Sequence, residues 1–321
     1  MKISGLFALS VLLVGLSTSN SLSFQRHLLD VRSSAPCPSE WNISPCECTG
    51  RPSAPSMLCD KVKDTADLER ILKANKENMN FRDIEIHGSA LNSLPGNVFS
   101  PHTFHLFLLS NNSIQTVDKA AFKGSESNVQ VLRLDGNKLT SFPFEALTGM
   151  KTLQVLELHR NQLTAIPDNA FPELETLANL DLGSNKIASI GKNAFSRLSG
   201  LGRLELSNNQ LTSLGERSLA IDKQKQPVTL LLANNKIEKI DPAALAGLKV
   251  ERLNLANNKL TTLVEEVFQP LIKDGAEISV EGNTFDCDQP QMTWLRKVPI
   301  TLKQRVSGFK CKNGKGLDEF N

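Results

Sequence analysis

The sequence predicts an α/β solenoid: a horseshoe of stacked coils with a parallel sheet on its concave face, mostly irregular convex arcs, and a disulfide-bonded cap at each end. Three observations predict it. One phrase, LQVLELHRNQL, LANLDLGSNKI and LGRLELSNNQL, recurs in strict register from Leu153 to Leu211. The same spacing of apolar residues and asparagine extends over most of the chain. The cysteines stand outside the repeats, Cys37, Cys46, Cys48 and Cys59 before them and Cys287 and Cys311 after.

The asparagines that anchor the phrases, Asn161, Asn185 and Asn209, are 24 residues apart. The spacing L-x-x-L-x-L-x-x-N-x-L is the leucine-rich-repeat pattern, at a period inside its usual window. Leu153, Leu156 and Leu158 lie on or beside a short strand with their side chains inward. Asn161 follows at a tight bend, where its amide can satisfy backbone groups that the turn leaves unpaired. Leu163 and Ile166 turn back inward, and Phe171 fills the convex half. No single coil covers its own apolar faces, so neighbours must stack. An amphipathic helix is excluded, because L-x-x-L-x-L followed by a polar asparagine does not continue a 3.6-residue period.

Taken in order, the chain opens with Lys2, an apolar run from Ile3 to Leu16, and the small polar residues Ser17, Thr18 and Ser19. This reads as a cleaved secretory signal over 1–21 and not as a membrane span. Residues 22–36 read as a mobile lead. The N-terminal cysteine cap covers 37–80; it is rich in Pro, Ser and Gly up to about Cys59, so its order must come from disulfides, each contributing on the order of 2–4 kcal/mol. Asp64 or Thr65 is placed to cap a short helix, Ala66 to about Asn78, with Leu68, Ile71 and Leu72 inward. Nine coils fill 81–283, anchored at Ser89, Asn112, Asn137, Asn161, Asn185, Asn209, Asn235, Asn258 and Asn283. A convex column runs through Phe99, Phe122, Leu147, Phe171, Phe195, Leu219, Leu245 and Phe268. A C-terminal cap spans 284–311, with Phe285, Trp294 and Leu295 covering the last coil and Cys287 tied to Cys311, and a short tail follows over 312–321.

The secretory reading makes all the cysteines disulfide partners. Four cysteines in the first cap allow three pairings; Cys46–Cys48 is sterically poor, which leaves two. A secreted, extracellular protein without a membrane span is expected. The formal charge of +2 and 22% charged residues are ordinary globular values that argue against a nucleic-acid-binding bulk charge.

The chain resembles extracellular leucine-rich-repeat proteins with cysteine-bounded caps, over roughly residues 37 to 311. That resemblance implies the pairs Cys37–Cys48 and Cys46–Cys59. The family's C-D-C arrangement in the second cap is incomplete here, since Cys287-Asp288-Gln289 keeps only the first cysteine. A narrower resemblance rests on APCPSEWNISPCECTG, Ala35 to Gly50, and on SFPFEAL, Ser141 to Leu147. These stretches are similar to the arthropod group typified by the non-catalytic subunit of Oplophorus luciferin 2-monooxygenase. The resemblance implies a secreted partner protein, such as a complex's accessory subunit, and no light-producing chemistry of its own.

A search for chemistry returns little. His102-Thr-Phe-His105 is not joined by a carboxylate pair or H-E-x-x-H, so no metal site is expected. No G-x-S-x-G, P-loop or dinucleotide glycine pattern occurs, and no cofactor is implied. Glu157, Asp181 and Glu205 could be read as paired acid and base. An open concave sheet is expected to leave all three solvated, with no burial to raise a pKa. An enzyme is therefore not expected.

The concave face is the expected partner-binding site, a rigid surface on the order of 40 Å long. Its central members are Arg133, Asp135, Glu157, His159, Arg160, Asp181, Arg203 and Glu205, with Leu106, Leu108, Val228 and Leu231 as apolar anchors. The sequons at Asn42 and Asn111 are candidate glycosylation sites, and a glycan on Asn111 would move the footprint toward coils three to seven. The alternative reading is an adhesion module in which Arg296, Lys297, Lys303, Arg305, Lys310 and Lys312 of the C-terminal cap hold sulfated glycans. Nucleic acid is a poor candidate, since no stacking aromatics accompany that cluster.

Overall fold

This computed structural model describes residues 36–319, apart from 39, 75, 76 and 246. The expected signal and nearly all of the lead segment lie outside the described residues. One twelve-stranded sheet runs through the coils and into both caps. It begins with an antiparallel hairpin, β1 (Cys46–Arg51) and β2 (Ala54–Asp60). The next strands are β3 (Asn80–His87), β4 (Thr103–Leu108), β5 (Val131–Arg133), β6 (Val155–Glu157), β7 (Asn179–Asp181) and β8 (Arg203–Glu205). The sheet ends with β9 (Val228–Leu231), β10 (Val250–Asn254), β11 (Glu277–Ser279) and β12 (Val306–Ser307). From β2 onward every neighbour is parallel. Leu132, Leu156, Leu180, Leu204, Leu230, Leu253 and Ile278 stand in register and are buried, forming one continuous core column.

Asparagine does more than satisfy its own bend. In coil after coil its side chain bonds both its own turn and the coil before it. Asn185 Oδ1 accepts the Leu163 amide at 3.0 Å, while Nδ2 donates to Leu158 O at 3.0 Å and to Leu182 O at 3.1 Å. The same bonds recur at Asn112, Asn137, Asn161, Asn209, Asn235, Asn258 and Asn283. All these asparagines are buried. At the first anchor, Ser89 Oγ accepts the Val62 amide at 2.9 Å and donates to His87 O, a shorter form of the same bridge.

The residue before each anchor is left-handed. Gly88, Asn111, Gly136, Arg160, Ser184, Asn208, Asn234, Asn257 and Gly282 all have φ between 53° and 73°. Glycine and asparagine tolerate that region best, which explains the recurring Asn-Asn pairs. At Gly136 and Gly282 a Cβ would also overlap the side chain of Asn111 or Asn257 in the preceding coil.

On the convex side the expected column is buried, and its rings touch: Phe99 and Phe122 stack at 5.9 Å, Phe171 and Phe195 at 5.6 Å. The ring that reaches Phe171 across the gap at Leu147 is Phe144, at 4.6 Å. The arcs are mostly irregular, with short strand pairs such as Ala165–Ile166 against Ser189–Ile190. Ahead of β11 the arc instead forms a helix, α2 (Glu265–Lys273), which buries Val267, Phe268, Leu271 and Ile272.

At the N-terminal end, α1 (Thr65–Lys73) is capped by Asp64, which accepts the Asp67 amide at 2.8 Å, and it buries Leu68, Ile71 and Leu72. It ends several residues earlier than the expected Asn78, because neighbours take its last carbonyls. Trp41 Nε1 donates to Ile71 O at 2.9 Å, and His102 Nε2 donates to Leu72 O at 2.8 Å. His102 is 1% exposed and its Nδ1 accepts the Met79 amide at 3.2 Å. Both nitrogens are thus committed as a neutral ring. The disulfides are Cys37–Cys48, Cys46–Cys59 and Cys287–Cys311; Cys46 and Cys59 are direct partners across the β1–β2 hairpin. At the other end Phe285, Trp294 and Leu295 are buried, Trp294 Nε1 donates to Leu263 O at 2.8 Å, and Phe285 stacks on Phe309 at 4.6 Å.

Replacing Asn185 by Ala strips a partner from one buried amide and three buried carbonyls, and should cost about 3 kcal/mol. Urea unfolding checks this, and a loss below about 1 kcal/mol would contradict it. His102 supplies a pH test. Burial lowers its pKa, outweighing the opposing effect of its bond to Leu72 O. The unfolded chain therefore binds the proton more readily, and stability present above the unfolded value, about 6.5, is lost as pH falls. His102→Gln should be less stable than the wild type at pH 7.5, with the gap narrowing at pH 5.5. A gap that does not change with pH in denaturant titrations would refute this role.

Candidate functional site

The pleat of β5 to β8 sends alternate side chains to the concave side, and the shared register lines them up across coils. Val131, Val155, Asn179, Arg203 and Thr229 make one row; Arg133, Glu157, Asp181, Glu205 and Leu231 make the next. Just beyond the strand ends, Ser110, Asp135, His159, Gly183 and Ser207 occupy corresponding turn positions. All the proposed charged members except Arg160 lie in these rows, as does Leu231, and Leu106 and Leu108 extend the first two rows onto β4.

The charged members hold one another. Arg133 Nε is 3.1 Å from Glu157 Oε2 on the next strand, and Arg203 donates to Glu205 Oε2 at 3.0 Å. Ser110 Oγ donates to Asp135 Oδ1 at 2.5 Å. Asp181 Oδ1 accepts the Gly183 amide at 2.9 Å and Glu205 Oε1 the Ser207 amide at 2.8 Å. His159 stands between two acids, with Nε2 3.6 Å from Asp135 Oδ2 and Nδ1 3.4 Å from Asp181 Oδ2.

The expected full solvation of Glu157, Asp181 and Glu205 is wrong, and Asp135 beside them is covered as well. The side chains of Asp135, Glu157, Asp181 and Glu205 are 13%, 20%, 28% and 16% exposed, because the curved sheet crowds neighbouring rows. Burial is the main reason that the Glu157 pKa is raised; Arg133 opposes the shift, and Asp135 and Asp181 add to it.

Two more concave-face expectations need correction. Val228 is 0% exposed and belongs to the core, because it lies two residues before the buried Leu230 on the same face of β9, while Thr229, in register with Arg203, takes the concave row. Arg160 sits at the left-handed turn position, exposed and outside the strand rows. Leu106, Leu108 and Leu231 are half-buried on the face. Leu106 is in register with Val131 and Val155, an apolar stripe that the sequence reading missed. The signal was the position two residues before each charged row member.

In the C-terminal cap, Lys303 is 6% exposed, so it cannot belong to a glycan-binding surface. Its place on the short helix Ile300–Lys303 turns it inward. Arg296, Lys297, Arg305, Lys310 and Lys312 are exposed. Arg305 donates to Gly275 O at 2.7 Å, and Lys312 pairs with Asp286 at 3.0 Å. Both sequon asparagines are exposed, Asn42 in the N-terminal cap and Asn111 at the turn after β4. His105 lies on β4 while His102 is buried against the cap with both nitrogens engaged, so the two do not form a donor set.

The leucine rich repeat family model matches residues 127–187, 175–220 and 228–273. The non-catalytic subunit of Oplophorus-luciferin 2-monooxygenase from Oplophorus gracilirostris is 28% identical over 329 aligned positions, covering 94% of this chain and 91% of that one. Among solved structures, a chain of the octameric complex of latrophilin 3, Unc5D and the leucine-rich-repeat part of FLRT2 is 22% identical, with a TM-score of 0.55; the match covers 89% of this chain and 98% of that one. The TLR13–ssRNA13 complex gives a TM-score of 0.60 at 22% identity over 72% of this chain, which spans only 32% of that one. No described helix is long and apolar enough to cross a membrane. The repeats, the mostly parallel sheet and the disulfide-bonded ends agree with these likenesses: the chain carries leucine-rich repeats in a leucine-rich-repeat fold and is similar along most of its length to a non-catalytic luciferase subunit.

Proposed function

We propose that this chain is a secreted, non-catalytic binding subunit that recognises a protein partner through the concave face of coils three to seven. The observation that carries the reading is the pairing of a half-buried apolar stripe, Val131 and Val155 continued by Leu106 of coil two, with a charged field already held in place beside it. Apolar side chains on a sheet's solvent face are unfavourable without an occupant. Charges fixed before binding reduce the entropy lost on docking and select the partner by complementarity. The central acids, Asp135, Glu157, Asp181 and Glu205, outnumber Arg133 and Arg203, which favours a partner with a basic surface.

Non-catalytic action fits the arrangement. Asp181 and Glu205 each give one oxygen to a turn amide, and Glu157 gives one to Arg133, so these acids are tied into the sheet. The similar Oplophorus protein is itself named a non-catalytic subunit; by likeness, a catalytic subunit is the first partner to seek. Three disulfides suit an extracellular compartment.

The test is native pull-down from the source's extracellular fluid, followed by titration of the captured partner. Replacing Glu157, Asp181 and Glu205 together by Ala should weaken binding by roughly 2 kcal/mol or more. Leu231→Asp, which removes no hydrogen-bond partner, should weaken it as well. Unchanged affinity in both variants, with melting temperatures showing them folded, would rule out this face.

A further inference from the structure

We propose that Asp135, Glu157 and His159 form a binding site for a divalent transition-metal cation of the zinc type, with Asp181 positioning the imidazole from behind. The donor atoms of the first three residues lie within 4.8 Å of one another. Four-coordinate zinc takes nitrogen and oxygen ligands at about 2.0–2.2 Å, so neighbouring ligands of a tetrahedron stand roughly 3.4 Å apart. The observed 3.6 Å between His159 Nε2 and Asp135 Oδ2 is near that edge and too long for a good hydrogen bond.

The supporting groups are already in place. Each carboxylate has one oxygen committed and the other left for the centre. Asp135 Oδ1 accepts from Ser110 while Oδ2 faces the imidazole. Glu157 Oε2 pairs with Arg133, leaving Oε1. Asp181 Oδ1 takes the Gly183 amide, and Oδ2 lies 3.4 Å from His159 Nδ1. That Nδ1 is buried without a hydrogen bond. With a metal on Nε2, Nδ1 carries a proton and turns to Asp181, the carboxylate–histidine–metal relay that orients ligating imidazoles. The cation would also offset the mutual repulsion of Asp135, Glu157 and Asp181. Gly183 holds His159's place in the next coil, where Asp181 Oδ1 and Glu205 Cγ lie 3.2 Å from the position a Cβ would take. Three protein ligands leave the fourth position of a tetrahedron for water. The imidazole nitrogen selects against magnesium and calcium, which prefer all-oxygen shells.

This site does not rest on partner binding, because metal uptake is measured on the isolated chain; either reading can fail alone. The experiment is equilibrium dialysis of the full mature protein against zinc, with calcium and magnesium in parallel. Expected are one saturable zinc equivalent in the wild type and loss of that equivalent in His159→Gln and Asp135→Asn. Asp181→Asn should weaken affinity by roughly 10- to 100-fold, and circular dichroism should show every variant folded. No saturable zinc in the wild type would overturn the proposal. So would an equivalent that survives in both ligand variants, or calcium bound as tightly as zinc.

Discussion

The buried asparagine at the end of each strand is the constraint that the rest of the structure follows. Its amide bonds to a carbonyl of its own turn, to a carbonyl of the preceding coil, and to an amide of that same preceding coil. A one-residue slip between coils would leave several buried polar groups unpaired at once, each costing on the order of 1–3 kcal/mol. Coil-to-coil register is therefore set by hydrogen bonding as well as by leucine packing. Because the convex arcs take no part in the bridge, they are free to vary, and intervals between anchors run from 23 to 26 residues without disturbing the sheet.

That register is also what assembles the site. Residues about 24 positions apart in sequence become neighbours one strand spacing apart, so Arg133 meets Glu157 and Asp135 meets His159. No loop has to close around them. The preset arrangement suits recognition of a surface, and it brings oxygen and nitrogen donors together without a linear motif.

Much of the fold was legible because leucine spacing and asparagine position are local signals that recur. The anchors Asn112 to Asn283 and the buried phenylalanine column follow from them, and the start of α1 follows from its capping residue Asp64. The misses share a physical cause: they depend on contacts between coils or between cap elements. The end of α1 depends on His102, some 30 residues away, taking the Leu72 carbonyl. Val228 is the exception, since strand alternation with the buried Leu230 two residues on already turns it inward. The sequence placed the concave acids on the right face but not at the right depth, since curvature and neighbouring rows cover their flanks. Lys303 was counted with the exposed basic residues, whereas helix geometry buries it. The left-handed turn position was visible in hindsight as the Asn-Asn pairs.

Amide hydrogen exchange tests the ladder most directly. The amides of Ile114, Leu139, Leu163, Ile187, Leu211, Ile237 and Leu260, each bonded to an asparagine Oδ1 of the following coil, should exchange only when whole coils separate, with protection matching that of the core strands. Exchange of those amides at the rate of the exposed convex turns would contradict the account.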